Sequence, residues 1–197
     1  MIDNQQFANI NYYNILLKNR INTIDASNWY QKGGYSNKYV IAGANGLITL
    51  STPLLGGRNQ KTLYKNVKIA YTTNWREQHK KSIFSCYGNA PFFSFYKYEI
   101  ENIFSQEFEF LFDLNFYILQ KMIKLLKVEI DFSINSTQKI LLEKVFCSKP
   151  YFEKNPVIVK IKYPQVFEDR NGFIENLSIL DLLFCCGPQA KNLLLSN

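Results

Sequence analysis

Two short β-prone runs, Tyr39-Val40-Ile41 and Leu47-Ile48-Thr49-Leu50, are separated by Ala42-Gly43-Ala44-Asn45-Gly46. Asn-Gly accepts the positive φ that tight turns demand, and the flanking β-branched residues favour pleated backbone. A β-hairpin near residues 39–50 is therefore the firmest structural constraint in the chain.

Helical patterns surround it. Residues 11–18 read as a short amphipathic helix and 21–26 as a brief strand. Asn74 is placed to cap a helix running through His79 to Tyr87. Gly88-Asn89-Ala90-Pro91 ends that helix, and Pro91 suits the start of the next, which carries Phe92, Phe93, Phe95 and Tyr96. Residues 107–127 form the longest helical stretch. Its Lys121, Lys124 and Lys127 share one face, read as a solvated stripe or as a surface turned toward an anion. Strands are expected at 67–71 and at 157–162 (VIVKIK), and a helix at 137–146. Loops span 29–37, 53–60 and 164–175. Ser178 opens a last helix that Gly187-Pro188 closes, and Ser178 and Asp181 have capping-box spacing. Together these predict an α/β fold: a single domain over residues 1–197, with a mixed or mostly parallel sheet flanked by helices and the hairpin at one edge.

Composition excludes several classes. In 197 residues, 47% are hydrophobic and 20% charged, enough apolar material for a core and too much for a disordered chain. The net charge of +7 suits nucleic acid, anionic lipid or a small anion, or simply a solvated surface. No basic run exceeds Lys80-Lys81 and no nucleic-acid motif is present, so nucleic acid is not expected as a partner. The cysteines Cys86, Cys147, Cys185 and Cys186 form no C-x-x-C pair and read as reduced core residues. With one histidine far from any cysteine pair, no zinc site is expected. No phosphate loop, dinucleotide fingerprint or nucleophile elbow appears, and nothing in the sequence names a cofactor. The first residues are polar, unlike a signal peptide, and apolar stretches are interrupted by Lys or Asp. The cytoplasm is the expected compartment, without stable membrane insertion.

Candidate chemistry is spread along the chain. Lys32, Asn37 and Lys38 surround a Gly-rich turn that can grip a phosphate or carboxylate, or can be an exposed polar loop. Arg58 lies in a second loop suited to an anion. His79 is the only histidine, either a general acid–base group or a structural residue, with Trp75 one turn before it on the same face. Asp169 stands in a turn, where it can act as a base or orient His79. Asn176, Ser178 and Asp181 read as helix-capping residues, or as the frame of an anion site.

Several of these pieces, in order, resemble the WbqC-like family of bacterial proteins. They are Tyr30-Gln31-Lys32 with Asn37-Lys38, the hairpin segment IAGANGLITLSTP, the block from Trp75 through His79 to Tyr87 with Pro91-Phe92-Phe93, and GFIENLSILDLLFCCGP near the end. The resemblance implies a role in surface-polysaccharide (O-antigen) biosynthesis, with transfer of glycine or a similar amino-acyl group to a sugar. Carried over by position, the family-like polar residues are Lys32, Asn37, Trp75, His79, Tyr87, Asn176, Ser178 and Asp181. Lys38 stands where the family pattern implies Arg, which keeps the charge and loses bidentate geometry. The expected substrate is an anionic sugar or nucleotide sugar. His79 and Asp169 are expected to carry the chemistry, while Lys32, Asn37, Lys38, Arg58, Trp75, Tyr87, Asn176, Ser178 and Asp181 bind or frame the substrate. The alternative is a protein of the same pathway that binds such a ligand without turning it over.

Overall fold

The computed structural model describes residues 1–137, Phe146 and 159–196. Apart from Thr137 and Phe146, the helix expected at 137–146 lies outside the described residues, as do Cys147 and the first two residues of the expected 157–162 strand. The described remainder of that strand, 159–162, forms no ladder.

The fold is mixed α/β. Its elements run α1 (Ile10–Lys18), β1 (Thr23–Asp25), β2 (Lys38–Gly43), β3 (Gly46–Ser51), α2 (Trp75–Tyr87), α3 (Phe93–Ser105), α4 (Leu111–Leu125), β4 (Ser133–Asn135), the four-residue α5 (Glu168–Asn171), α6 (Ile179–Cys186) and α7 (Ala190–Leu195). β1 and β4 pair in parallel, Ile24 opposite Ile134, and Ile2 extends that sheet by parallel bridges to Ile24 and Phe146. β2 and β3 form the antiparallel hairpin, with Tyr39 opposite Leu50 and Ile41 opposite Ile48.

The hairpin turn is shifted by one residue from the dipeptide that signals it. Ala44 and Asn45 make the turn with ordinary φ, and Gly46, just past it, takes the positive φ of +109°. A turn with negative φ at both centres leaves the strands splayed, and a glycine in the next position corrects their twist.

Strand alternation then sorts the hairpin. Tyr39, Ile41 and Leu50 are buried, while Lys38 and Val40 are only half covered and Leu47, Thr49 and Ser51 are exposed. The inner face packs on α2 and α6. α2 offers it Trp75, His79, Ile83, Cys86 and Tyr87, all buried and spaced at one helical turn. The Ser178 amide donates to the Val40 carbonyl at 2.9 Å, and Ile10 N and Ile179 N donate to Leu177 O and Ala8 O. These bonds tie the start of α6 to both the hairpin and α1.

Among the described residues the hairpin is a two-stranded sheet of its own, not the edge of a larger sheet as expected, and two further expected elements differ. Residues 67–71 form no strand; Lys68 bridges Phe110 and Ile69 bridges Leu54 singly. The same pairing shortens the long helix. Ile69 N donates to Glu109 O and Leu111 N to Val67 O, so residues 109–110 are extended and α4 begins only at Leu111. α6 ends as expected. Gly187 adopts φ +54°, and a Cβ there would stand 2.4 Å from the Phe92 ring, so only glycine fits.

Candidate functional site: a cationic cleft over a neutral interior

The loops flanking the hairpin's open end enclose a cleft of about 560 Å³, lined by Tyr30, Lys32, Gly33, Asn37, Lys38, Ser51, Thr52, Pro53, Leu54, Gly57 and Arg58 among others. Lys32, Asn37, Lys38 and Arg58 thus converge from two loops separated in sequence by β2 and β3. Lys32 and Arg58 are exposed and Lys38 is half covered. Among the described residues no Asp or Glu lines the cleft, and none of the three cations has an ion-pair partner. Lys38 Nζ lies 5.8 Å from the centroid of the Tyr35 ring.

The floor of this cleft is rigidly made. The Asn37 side chain accepts from Tyr30 Oη at 3.1 Å and donates to Thr52 O at 3.0 Å. Asn37 therefore holds the loop to the end of β3 rather than standing free for a ligand. The Thr52 hydroxyl, fully buried, shares bonds of 2.7 and 3.0 Å with the Gln6 amide. Buried, satisfied polar pairs of this kind fix geometry.

A smaller cavity of about 220 Å³ adjoins, lined among others by Phe7, Asn9, Tyr35, Lys38, Tyr39, Leu47, Glu175, Asn176 and Ser178. Lys38 belongs to both. Phe7 and Asn176 have φ of +37° and +56°, unusual for residues with a Cβ. Asn176 Oδ1 accepts from Asn11 N at 2.9 Å, and Ser178 Oγ donates to Phe7 O and accepts from Leu180 N. Ser178 is the N-cap of α6, and such a cap contributes about 1 kcal/mol.

His79 lies beneath the hairpin, 3% exposed. Nε2 is 3.3 Å from the Ser51 carbonyl and Nδ1 is 3.1 Å from Tyr39 Oη. A carbonyl only accepts, so Nε2 carries the proton and Nδ1 accepts from the tyrosine. Trp75 and Phe104 meet the ring edge-on at centroid distances of 5.2 and 6.0 Å. Burial drives the imidazole pKa down to about 4, against a smaller upward pull from the Ser51 carbonyl. His79 is neutral at pH 7, and both its nitrogens are engaged by the protein. Trp75, 3% exposed, is part of this aromatic packing and lines neither cavity.

Tyr87 and Asp181 are also interior. Tyr87 Oη donates to Asp181 Oδ1 at 2.8 Å and accepts from Ala42 N at 3.3 Å. Tyr163 Oη donates to Asp181 Oδ2 at 2.6 Å, and Gln165 Nε2 donates to Tyr163 Oη at 3.1 Å. Asp181 has the spacing of a capping box, yet its carboxylate reaches across to two tyrosines instead of back to the Ser178 amide. Its burial raises the carboxyl pKa, opposed by the bonds from Tyr163, Tyr87 and Gln165.

Asp169 does not join His79. It is exposed on α5, whose Asn171 donates to Gly43 O at 2.9 Å, at the turn end of the hairpin. Tyr39, which holds His79, is four residues down β2, about 13 Å at the rise of a strand. Arg170, beside Asp169, lines a separate cavity of about 430 Å³ with Asn89, Gln165, Phe167 and Cys185.

Sequence reasoning missed Tyr39, Ser51, Tyr163 and Gln165. Only Tyr39 had a local signal, being at an inward position of a strand that alternates. The free cysteines Cys86, Cys185 and Cys186 carry thiols whose pKa burial raises, that of Cys186 to about 11, which favours the protonated thiol over the thiolate at neutral pH. Among the described residues no cluster of His, Cys, Asp and Glu could hold a metal ion, and no helix is long and apolar enough to cross a membrane.

Fold and site together define a mixed α/β protein with a cationic cleft set over a buried, hydrogen-bonded aromatic interior. The chain belongs to the WbqC-like protein family, whose model matches residues 9–147 and 148–193. No curated protein and no solved structure matches it.

Proposed function

We propose that this protein binds an anionic sugar or nucleotide sugar in the cationic cleft and serves group transfer in bacterial surface-polysaccharide biosynthesis, moving glycine or a similar amino-acyl group. One observation carries the reading: Lys32, Lys38 and Arg58 converge on one cleft that has no carboxylate in its lining among the described residues. Unpaired cations on a rigid floor are the arrangement that recognises phosphate or a sugar carboxylate, since the ligand supplies the missing counter-charge. The family resemblance supports the sugar part of the reading.

In such a transfer the acyl carbon leaves an activated ester or thioester donor. The acyl–leaving-group bond breaks as a bond forms to a sugar hydroxyl or amine, and the proton of that nucleophile ends on the leaving group. His79 has no free nitrogen to offer a reactant in the cleft. Its role in this reading is positional: it holds the Ser51 carbonyl at the cleft wall and Tyr39 beneath it.

The same interior favours a second reading, in which the protein binds this ligand class without turnover. Titration calorimetry with uridine diphosphate and a uridine diphosphate hexuronate is the first test. Micromolar binding that weakens at least tenfold in Lys32→Ala and Arg58→Ala, with unchanged thermal transitions, is expected. Absence of affinity for either probe refutes both readings. Incubating wild type with an activated glycyl donor and the hexuronate then separates them. New acylated sugar supports transfer, and retained affinity without product supports binding alone.

A further inference from the structure

The cleft lies in an unusual stretch of sequence. Residues 26–76 contain seven Lys and Arg (Lys32, Lys38, Arg58, Lys61, Lys65, Lys68 and Arg76) and no Asp or Glu. The whole chain has 23 cations and 16 acids, a difference of seven, so this quarter of the molecule carries a charge equal to the entire net charge. Lys68 and Arg76 are paired with Glu109 and Glu107. Among the described residues the other five have no ion-pair partner.

The same stretch exposes large apolar side chains. Trp29, Tyr35, Leu47 and Leu55 are 57%, 38%, 61% and 50% exposed. Tyr35 and Leu47 line the cavity that shares Lys38 with the cleft. Leu55 follows the cleft residue Leu54 and stands three residues before Arg58. Trp29 precedes the cleft residue Tyr30, and its backbone bridges Leu63, between Lys61 and Lys65. The nearby acid Glu175 is taken up by Lys160 Nζ at 3.7 Å. Single exposed apolar residues are ordinary; exposed Trp and Leu interleaved with unpaired cations are the surface that docks at the headgroup level of an anionic bilayer.

We propose that this face docks reversibly on an anionic phospholipid surface, so that the cleft receives its ligand at the membrane. The proposal rests on the reading of the cleft as an anion site, and adds where that anion is met. Lys and Arg supply attraction to the charged headgroups, and Trp29 and Leu55 enter the interfacial layer.

Vesicle co-sedimentation tests it, using three parts phosphatidylcholine to one part phosphatidylglycerol against phosphatidylcholine alone. Binding to the anionic vesicles only, falling with added salt, is expected. Neutralising Lys61 or Lys65 is expected to lower partition about fivefold each. Trp29→Ser with Leu55→Ser is expected to lower it tenfold or more, while leaving uridine diphosphate affinity in the cleft unchanged. No sedimentation with anionic vesicles, alongside intact binding of uridine diphosphate, overturns the membrane proposal and leaves the cleft reading standing. Equal capture by neutral vesicles overturns it too. So does tight binding to a single-stranded oligonucleotide with none to vesicles, which would mean that the charge serves nucleic acid.

Discussion

Lys38 and Tyr39 are neighbours on one strand and belong to different worlds. Lys38 stands at the cleft beside Lys32 and Arg58, half exposed and with only the Tyr35 ring beside its cation among the described residues; Tyr39 turns inward and gives its hydroxyl hydrogen to His79. Two sets of polar residues result. The outer set is charged, has no ion-pair partner among the described residues, and costs the fold little. The inner set, His79, Tyr87, Tyr163 and Asp181, is buried and fully bonded, with the histidine held neutral. The first can be spent on a ligand, whereas the second is already spent on the protein. A burial penalty of several kcal/mol for an unpaired polar group explains the division.

The division can be broken most severely at Asp181. Asp181→Ala leaves two buried tyrosine hydroxyls without their acceptor, at about 1–3 kcal/mol each. A loss of about 4 kcal/mol in urea unfolding is expected, and a loss below 1 kcal/mol would show that the network is not structural. The next effect is acid sensitivity. His79 titrates near 4 in the folded protein and at 6.5 as a free side chain. The unfolded chain therefore binds the proton first, and stability falls as pH drops from 6.5 to about 4, by about 3 kcal/mol. Asp3, whose carboxyl is raised to about 7 by burial and by the charge of Asp25, works in the opposite sense over much of that range. The His79 share is thus the difference between wild type and His79→Gln, and equal acid profiles for the two would contradict a buried neutral ring.

Smaller effects sharpen the contrast at the adjacent pair. Lys38→Met is expected to cost ten- to thirtyfold in affinity for an anionic probe, about 1.5–2 kcal/mol, with stability unchanged within about 0.5 kcal/mol. Tyr39→Phe is expected to do the reverse, costing about 1 kcal/mol of stability and little affinity. If the two substitutions have the same phenotype, the hairpin does not separate the two sets.

Much of this fold was legible residue by residue. The hairpin, α1, α2 and α6 follow from turn residues, a 3.6-residue period and, for α6, the Ser178 cap; Asn74 precedes α2 as expected but its side chain makes no capping bond. Even the burial of His79 had a local trace, because it stands four residues from Trp75 and four from Ile83, in the middle of the buried stripe of α2. Elements that depend on distant backbone were harder to read. Residues 67–71 look like a strand and make only single bridges, and residues 109–110 look helical but are drawn extended by the amides and carbonyls of 67–69. The cleft was half legible: each cation was recognisable, and the acid-free stretch from 26 to 76 marks their surroundings. What could not be read was the closing of two loops over the open end of the hairpin that separates them.

Sequence alone therefore determined what is local: the hairpin, the buried stripe of α2, the stop of α6 at Gly187, and which segment holds the charge. The tertiary structure alone decided who bonds to whom. Asp181 has the spacing of a cap and serves two tyrosines, Asn37 has the look of a ligand group and serves Thr52, and Asp169 has the chemistry to assist His79 but sits at the far end of the hairpin. A side chain's nearest partner depends on packing between segments distant along the chain, and neither spacing nor propensity encodes that distance.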